Sequence, residues 1–95
     1  MNKYEILYII DNDIDEEAKN QTVDKFKNLV LSLGGTVEED GVDVWGTKKY
    51  AYPINYKTEG YYVLMNFQAA ESVPAELERQ LRNADAIVRF MIIRK

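Results

Sequence analysis

The stretch Trp45-Gly46-Thr47-Lys48-Lys49-Tyr50-Ala51-Tyr52-Pro53-Ile54-Asn55, followed closely by Gly60-Tyr61-Tyr62, sets two ammonium groups among aromatic rings. That mixture suits non-covalent chemistry: lysines grip phosphates, and rings stack on bases or press against a partner protein. The same residues also describe a twisted edge strand, with lysines that discourage edge-to-edge aggregation and a proline that ends pairing. From the residues of this stretch alone both readings stand.

A second constellation, Asp11-x-Asp13-x-Asp15, opens like a calcium loop. Such a loop needs glycine at its sixth position and a bidentate acid at its twelfth, and those positions hold Glu16 and Thr22. The acids are better placed to cap a helix that follows them. The chain has neither histidine nor cysteine. This removes the commonest general base, the commonest metal ligand, thiolate nucleophiles, zinc-thiolate sites and disulfides. Catalysis is therefore a poor starting point, and neither a metal nor a cofactor is expected.

The elements that position these groups follow from periodicity. Lys3 to Ile10 alternates Tyr4, Ile6, Tyr8 and Ile10 against Lys3, Glu5, Leu7 and Ile9, a strand with one core face and one partly open face. Asp13-x-x-Glu16 reads as a capping box, and Thr22/Val23, Phe26, Leu29/Val30 and Leu33 recur at helical spacing until Gly34 supplies a left-handed cap. Thr36 begins a second strand that reads as interrupted around Asp40-Gly41 and resumes from Val42 to Tyr52, with Gly41 or Gly46 marking a turn or bulge. Gly60 opens a third strand, Ser72-Val73-Pro74 a short helix with Val73, Leu77 and Leu81 inward, and Ala86 to Lys95 forms a fourth strand.

The resulting order, βαββαβ, predicts an α+β ferredoxin-like fold: a four-stranded antiparallel sheet with both helices on one face and the other face uncovered. The uncovered face should carry Lys3, Glu5, Leu7, Ile9, Tyr62, Leu64, Asn66, Arg89, Met91 and Ile93. Such a mixture of apolar and charged groups invites a partner, though scattered exposed apolar residues are also normal on a solitary domain. An acylphosphatase-like site on this fold would need an arginine-bearing anion loop before the first helix, where this chain has aspartates.

Composition bounds the function. Ninety-five residues, 46% apolar and 29% charged, describe one soluble globular domain spanning 1–95, with no apolar run of the ~20 residues a bilayer demands. The N-terminus lacks a signal-like apolar stretch, so a cytoplasmic location is expected. The net charge of −4 is unevenly spread. Residues 11–43 hold ten acids against three lysines, whereas residues 44–95 hold eight bases against five acids. An acidic side turned to solvent would leave a basic side for an anionic partner.

Several segments together carry a resemblance: Lys3-Tyr4-Glu5, Gly34 before the second strand, Trp45-Gly46-x-Lys48-Lys49-x-Ala51-Tyr52-Pro53-Ile54-Asn55, Gly60-Tyr61-Tyr62-Val63-Leu64, and Asp85-Ala86-Ile87-Val88-Arg89-x-Met91. The chain resembles, from end to end, the family of the sixth small-subunit ribosomal protein of bacteria. The resemblance implies a non-catalytic ferredoxin-like protein of the ribosome. It would bind the central domain of 16S ribosomal RNA as a heterodimer with the eighteenth small-subunit ribosomal protein. It further implies RNA contacts near Lys3, Lys48, Lys49, Arg89 and Arg94, and places Tyr50, Tyr52, Pro53, Ile54, Tyr62 and Leu64 at the protein partner or a mixed interface.

Asn2 and Thr47 stand where members of the family often carry arginine, so phosphate grip there is expected to be weaker. Many members also continue past the position of Lys95 into a variable tail, whose contacts are not expected unless the chain continues beyond this sequence. An acidic chain binds RNA sensibly if the partner brings most of the positive charge. The alternative is a free-standing RNA-recognition module, faintly echoed in Leu7-Tyr8-Ile9-Ile10-Asp11-Asn12 and Glu59-Gly60-Tyr61-Tyr62-Val63. Periodicity argues against it by turning Tyr8 and Tyr61 inward, which leaves mainly Tyr62 to stack.

Overall fold

The computed structural model describes residues 2–54 and 57–95, with the side chains of Glu39, Asp40, residues 51–54 and Lys57 set aside. Six elements follow in order: β1 (Asn2–Asp11), α1 (Glu16–Ser32), β2 (Thr36–Ile54), β3 (Lys57–Ala69), α2 (Val73–Arg82) and β4 (Ile87–Arg94). The strands form one sheet in the order β2-β3-β1-β4, every neighbouring pair antiparallel. This is the ferredoxin-like arrangement expected from the βαββαβ order.

Alternation in the central strands builds the core. Tyr4, Ile6, Tyr8 and Ile10 of β1 and Val63, Met65 and Phe67 of β3 point to the helix side and are buried. There they meet Phe26 and Val30 of α1 and Val73, Leu77 and Leu81 of α2. Tyr8 packs edge-on against Phe26, and Tyr4 stacks on Phe67. Among the described residues the Tyr8 hydroxyl is buried with no hydrogen-bond partner. Burial above all, and secondarily the Asp24 carboxylate, push this phenol above the ordinary tyrosine value.

The first helix starts differently from the expectation. Its N-cap is Asp15, whose Oδ1 accepts from Ala18 N at 2.7 Å, and not Asp13. Asp11 Oδ1 accepts from Asp13 N at 3.0 Å, so the chain turns once on aspartate before the helix begins. Ile14, packed against the core, holds this start in place. At the far end Gly35 N donates to Val30 O and Gly34 N to Leu31 O, a Schellman closure with Gly34 at φ 86°. This ending leaves Leu33, a core candidate by spacing, 36% exposed at the C-cap.

β2 is continuous where an interruption was expected. The irregularity is instead in its pairing: the register with β3 shifts between Val37 and Val42 and again between Val44 and Gly46. The β2–β3 ladder also runs out to Ile54 and Lys57, so β3 begins three residues before Gly60. On α2, Glu76 pairs with Arg79 at 2.6 Å and Glu78 pairs with Arg82, as their spacing predicts. No described helix is long and apolar enough to cross a membrane.

Candidate interface on the open sheet face

Cross-strand register orders the face that the helices leave bare. Reading from β2 to β4, Gly46, Tyr62, Ile9 and Arg89 form one row, and Asp43, Leu64, Leu7 and Met91 the next. Asn66, Glu5 and Ile93 follow, then Thr36, Gln68 and Lys3. On the other side of the first row lie Lys48, Gly60 and Asp11. The expected open-face residues are therefore on one surface, and the period-2 reading holds along β1 and β3 and in β4 from Arg89 onward. Before Arg89 the register shifts, and Ile87, not Val88, lies opposite Ile10 and packs against the core.

This surface divides by chemistry. Its β1–β4 half is aliphatic: Met91 is 53% and Ile93 46% exposed, and Leu7, Ile9, Arg89, Phe90 and Met91 line a shallow dish. Its β2–β3 half is aromatic. The Trp45 and Tyr62 rings are parallel within 8° with centroids 6.5 Å apart, and the Tyr50 ring is tilted 48° to Tyr62 with its centroid 6.3 Å away. Lys48 Nζ lies 5.9 Å from the Trp45 ring centroid.

Two glycines make this half buildable. At the register shift after Val44, Gly46 takes φ +82°, a left-handed conformation that leaves Trp45 as the extra residue on β2. The bulge brings Trp45 beside Tyr62, and Asp43 Oδ2 accepts the indole N–H at 3.1 Å. Gly60 leaves room for Tyr50, since a β-carbon there would fall 2.8 Å from Tyr50 Cε1 and 2.5 Å from Ile9 Cγ2.

Of the cations expected to meet RNA, Lys3, Lys48 and Arg89 share the open face and all three are exposed. Lys49 lies opposite Glu59, on the helix side of the β2–β3 ribbon. Arg94 lies opposite Tyr4, also on the helix side, where its Nη2 donates to Asn2 Oδ1 at 3.1 Å and its Nη1 is 3.9 Å from Glu71 Oε1. The five cations therefore do not form one cluster. Of the residues expected at a partner, Tyr50, Tyr62 and Leu64 meet on the open face. The side chains of Tyr52, Pro53 and Ile54 lie outside the described residues.

Two groups enter this surface that site assignment by sequence did not single out. Trp45 joins through the bulge, which a plain alternation cannot place. Lys95 donates to Asn66 Oδ1, and its backbone N–H donates to Lys3 O at 2.9 Å. The terminal lysine thereby stands beside Lys3, in a cleft of about 320 Å³ that also holds Glu38 and Gln68. The loop before α1 is tied to β2 from behind: Asn12 Oδ1 accepts from both Thr47 Oγ1 (2.9 Å) and Lys19 Nζ (3.0 Å), and Lys19 sits over the Tyr61 ring.

The family model described as ribosomal protein S6 matches residues 3–94 of the chain. The chain belongs to the ribosomal protein S6 family. It is 50% identical over 94 residues to the small ribosomal subunit protein bS6 of Alkaliphilus oremlandii, covering 99% of this chain and 97% of that one. It is 47% identical over 93 residues to the bS6 of Clostridium novyi, covering 98% and 96%. Among solved structures it is similar to the crystal structure of 30S ribosomal protein S6 from Thermotoga maritima, with a TM-score of 0.92 and 27% identity over 99% of this chain and 87% of that one. The S6 family is one of small-subunit ribosomal proteins, not of enzymes, and its place is the cytoplasmic ribosome.

Proposed function

We propose that this S6-family chain is a structural constituent of the small ribosomal subunit that binds the central domain of 16S ribosomal RNA together with the eighteenth small-subunit ribosomal protein. The observation that supports this most is the divided open face: exposed aliphatic groups centred on Met91 and Ile93, with Lys3, Lys48 and Arg89 on the same face. The aliphatic half and Leu64 suit a protein surface that needs burial, and Tyr62 and Tyr50 stand at the border where protein partner and RNA would meet. The cations suit phosphate.

At a net charge of −4 the chain gains little from the general electrostatic attraction that drives RNA binding by basic proteins. A basic partner seated on the aliphatic half would supply that attraction and leave the cations of this chain to set position. Alone, the chain binds RNA weakly. The free-standing RNA-recognition module is disfavoured because Tyr8 is wholly buried, and β1 presents Leu7 and Ile9 to the open side in place of aromatics.

The test is co-expression of the tagged chain in a bacterium. The expected result is recovery with small ribosomal subunits and one small basic protein. Recovery as a free protein, with neither subunits nor such a partner, would overturn the proposal.

A further inference from the structure

The indole of Trp45 has its only polar atom occupied by Asp43, so what it offers outward is a π-surface and not a hydrogen bond. The ring is 43% exposed, lies parallel to Tyr62 and has an ammonium group within reach. Gly46, in its left-handed conformation, holds this arrangement on the strand, so the ring sits on a rigid element and not on a loose loop.

The geometry points to Trp45, braced by Tyr62 and flanked by Lys48, as a stacking site for one unpaired RNA base whose phosphate is taken by Lys48. The choice of a base over a protein side chain rests on three observations. The β1–β4 half of the face is the aliphatic part, whereas here the surface is aromatic with a cation at its margin. A nucleotide matches both groups at once, a π-face for the ring and a phosphate for the ammonium. The Lys48 ammonium stands 5.9 Å from the ring centroid, a weak contact at an exposed site, so a phosphate draws it away and leaves the indole to the base.

The site is distinct from the base-stacking positions of RNA-recognition modules, which use aromatics on the central strands. Here the ring is delivered by a bulge on β2. The inference rests on the proposed function only in taking RNA as the ligand.

Trp45 is the only tryptophan in the chain, so its fluorescence reports the contact directly. The full chain is titrated with single-stranded hexa-adenylate at low salt, alongside an abasic ribose-phosphate oligomer of equal length. The expected result is saturable quenching by the adenylate and little by the abasic strand. With a dye-labelled adenylate followed by anisotropy, Trp45→Leu is expected to weaken binding about tenfold. Trp45→Phe should retain most of the affinity. Lys48→Gln should weaken binding and reduce the slope of log K against log salt by about 0.7, the single-strand value for one phosphate contact.

Equal quenching by both strands, or unchanged affinity in Trp45→Leu, would overturn the inference. So would quenching by the basic protein partner combined with none by RNA, which would assign the ring to the protein interface. Co-purification with small subunits alongside absent quenching would remove the stacking site and leave the proposed function standing. Quenching without co-purification would do the reverse.

Discussion

Tyr50 lies over Gly60 so closely that a β-carbon at that glycine would fall 2.8 Å from the Tyr50 ring, and 2.5 Å from Ile9 on the neighbouring strand. The open face is therefore close-packed at its aromatic end although no helix covers it. Gly60→Ala forces the Tyr50 or the Ile9 side chain to shift and is expected to destabilise the protein by about 1–3 kcal/mol. Chemical denaturation checks this. In a cycle with Tyr50→Ala part of the loss should be recovered, the Ile9 clash accounting for the remainder.

The buried Tyr8 hydroxyl is a different matter, because removing it deletes a polar group that has no partner among the described residues. Tyr8→Phe keeps the edge-on contact with Phe26 and is expected to be neutral or to stabilise by about 1 kcal/mol. A shift of the denaturation midpoint to lower denaturant would contradict this.

The start of α1 separates two aspartates that look alike in the sequence. Asp15→Ala removes the bond accepted from Ala18 N and should destabilise by about 1 kcal/mol. Asp13→Ala leaves that cap intact and should cost less, a comparison read from thermal midpoints of the two variants.

Glu76 on α2 is held down to about 2 from an ordinary 4.5, first by the hydrogen bond from Arg79, then by that from Gln80. Folding lowers this pKa, so the stabilisation it carries is fully present above about pH 4.5 and is lost as the pH falls through about 2. The group is on the surface, so its effect on global stability is small. A carboxyl NMR titration should place the Glu76 midpoint near 2 and return it toward 4.5 in Arg79→Ala.

The two lysines of the β2 ribbon face opposite ways, Lys48 toward the open side and Lys49 toward the side of Glu59. If the open face is the RNA-facing surface, Lys48→Glu should reduce incorporation into small subunits more than Lys49→Glu, and the double variant most of all. None should lower the thermal midpoint by more than a few degrees. Quantitative mass spectrometry of purified subunits reads the result.

Much of this molecule is legible locally. Tyr4, Ile6, Tyr8 and Ile10 alternate against Lys3, Glu5, Leu7 and Ile9, and that alternation alone assigns them to opposite faces, because successive side chains on a strand point opposite ways. Phe26 and Val30 of α1, and Val73, Leu77 and Leu81 of α2, follow helical spacing into the core for the same kind of reason. The absence of histidine and cysteine, and the chemistry of the lysine-aromatic stretch, needed no coordinates.

What the sequence by itself determined was the element order, the composition of each face and the class of chemistry, because these follow from short-range geometry and residue type. What only the tertiary structure decided was which strand positions meet. The shifts at Val37/Val42 and Val44/Gly46 depend on how β2 fits β3 across the sheet, and one extra residue in a strand resets every later side chain. That is why Trp45 reaches Tyr62, why Lys48 and Lys49 part company, and why the helix takes Asp15 as its cap once Ile14 is seated against the core.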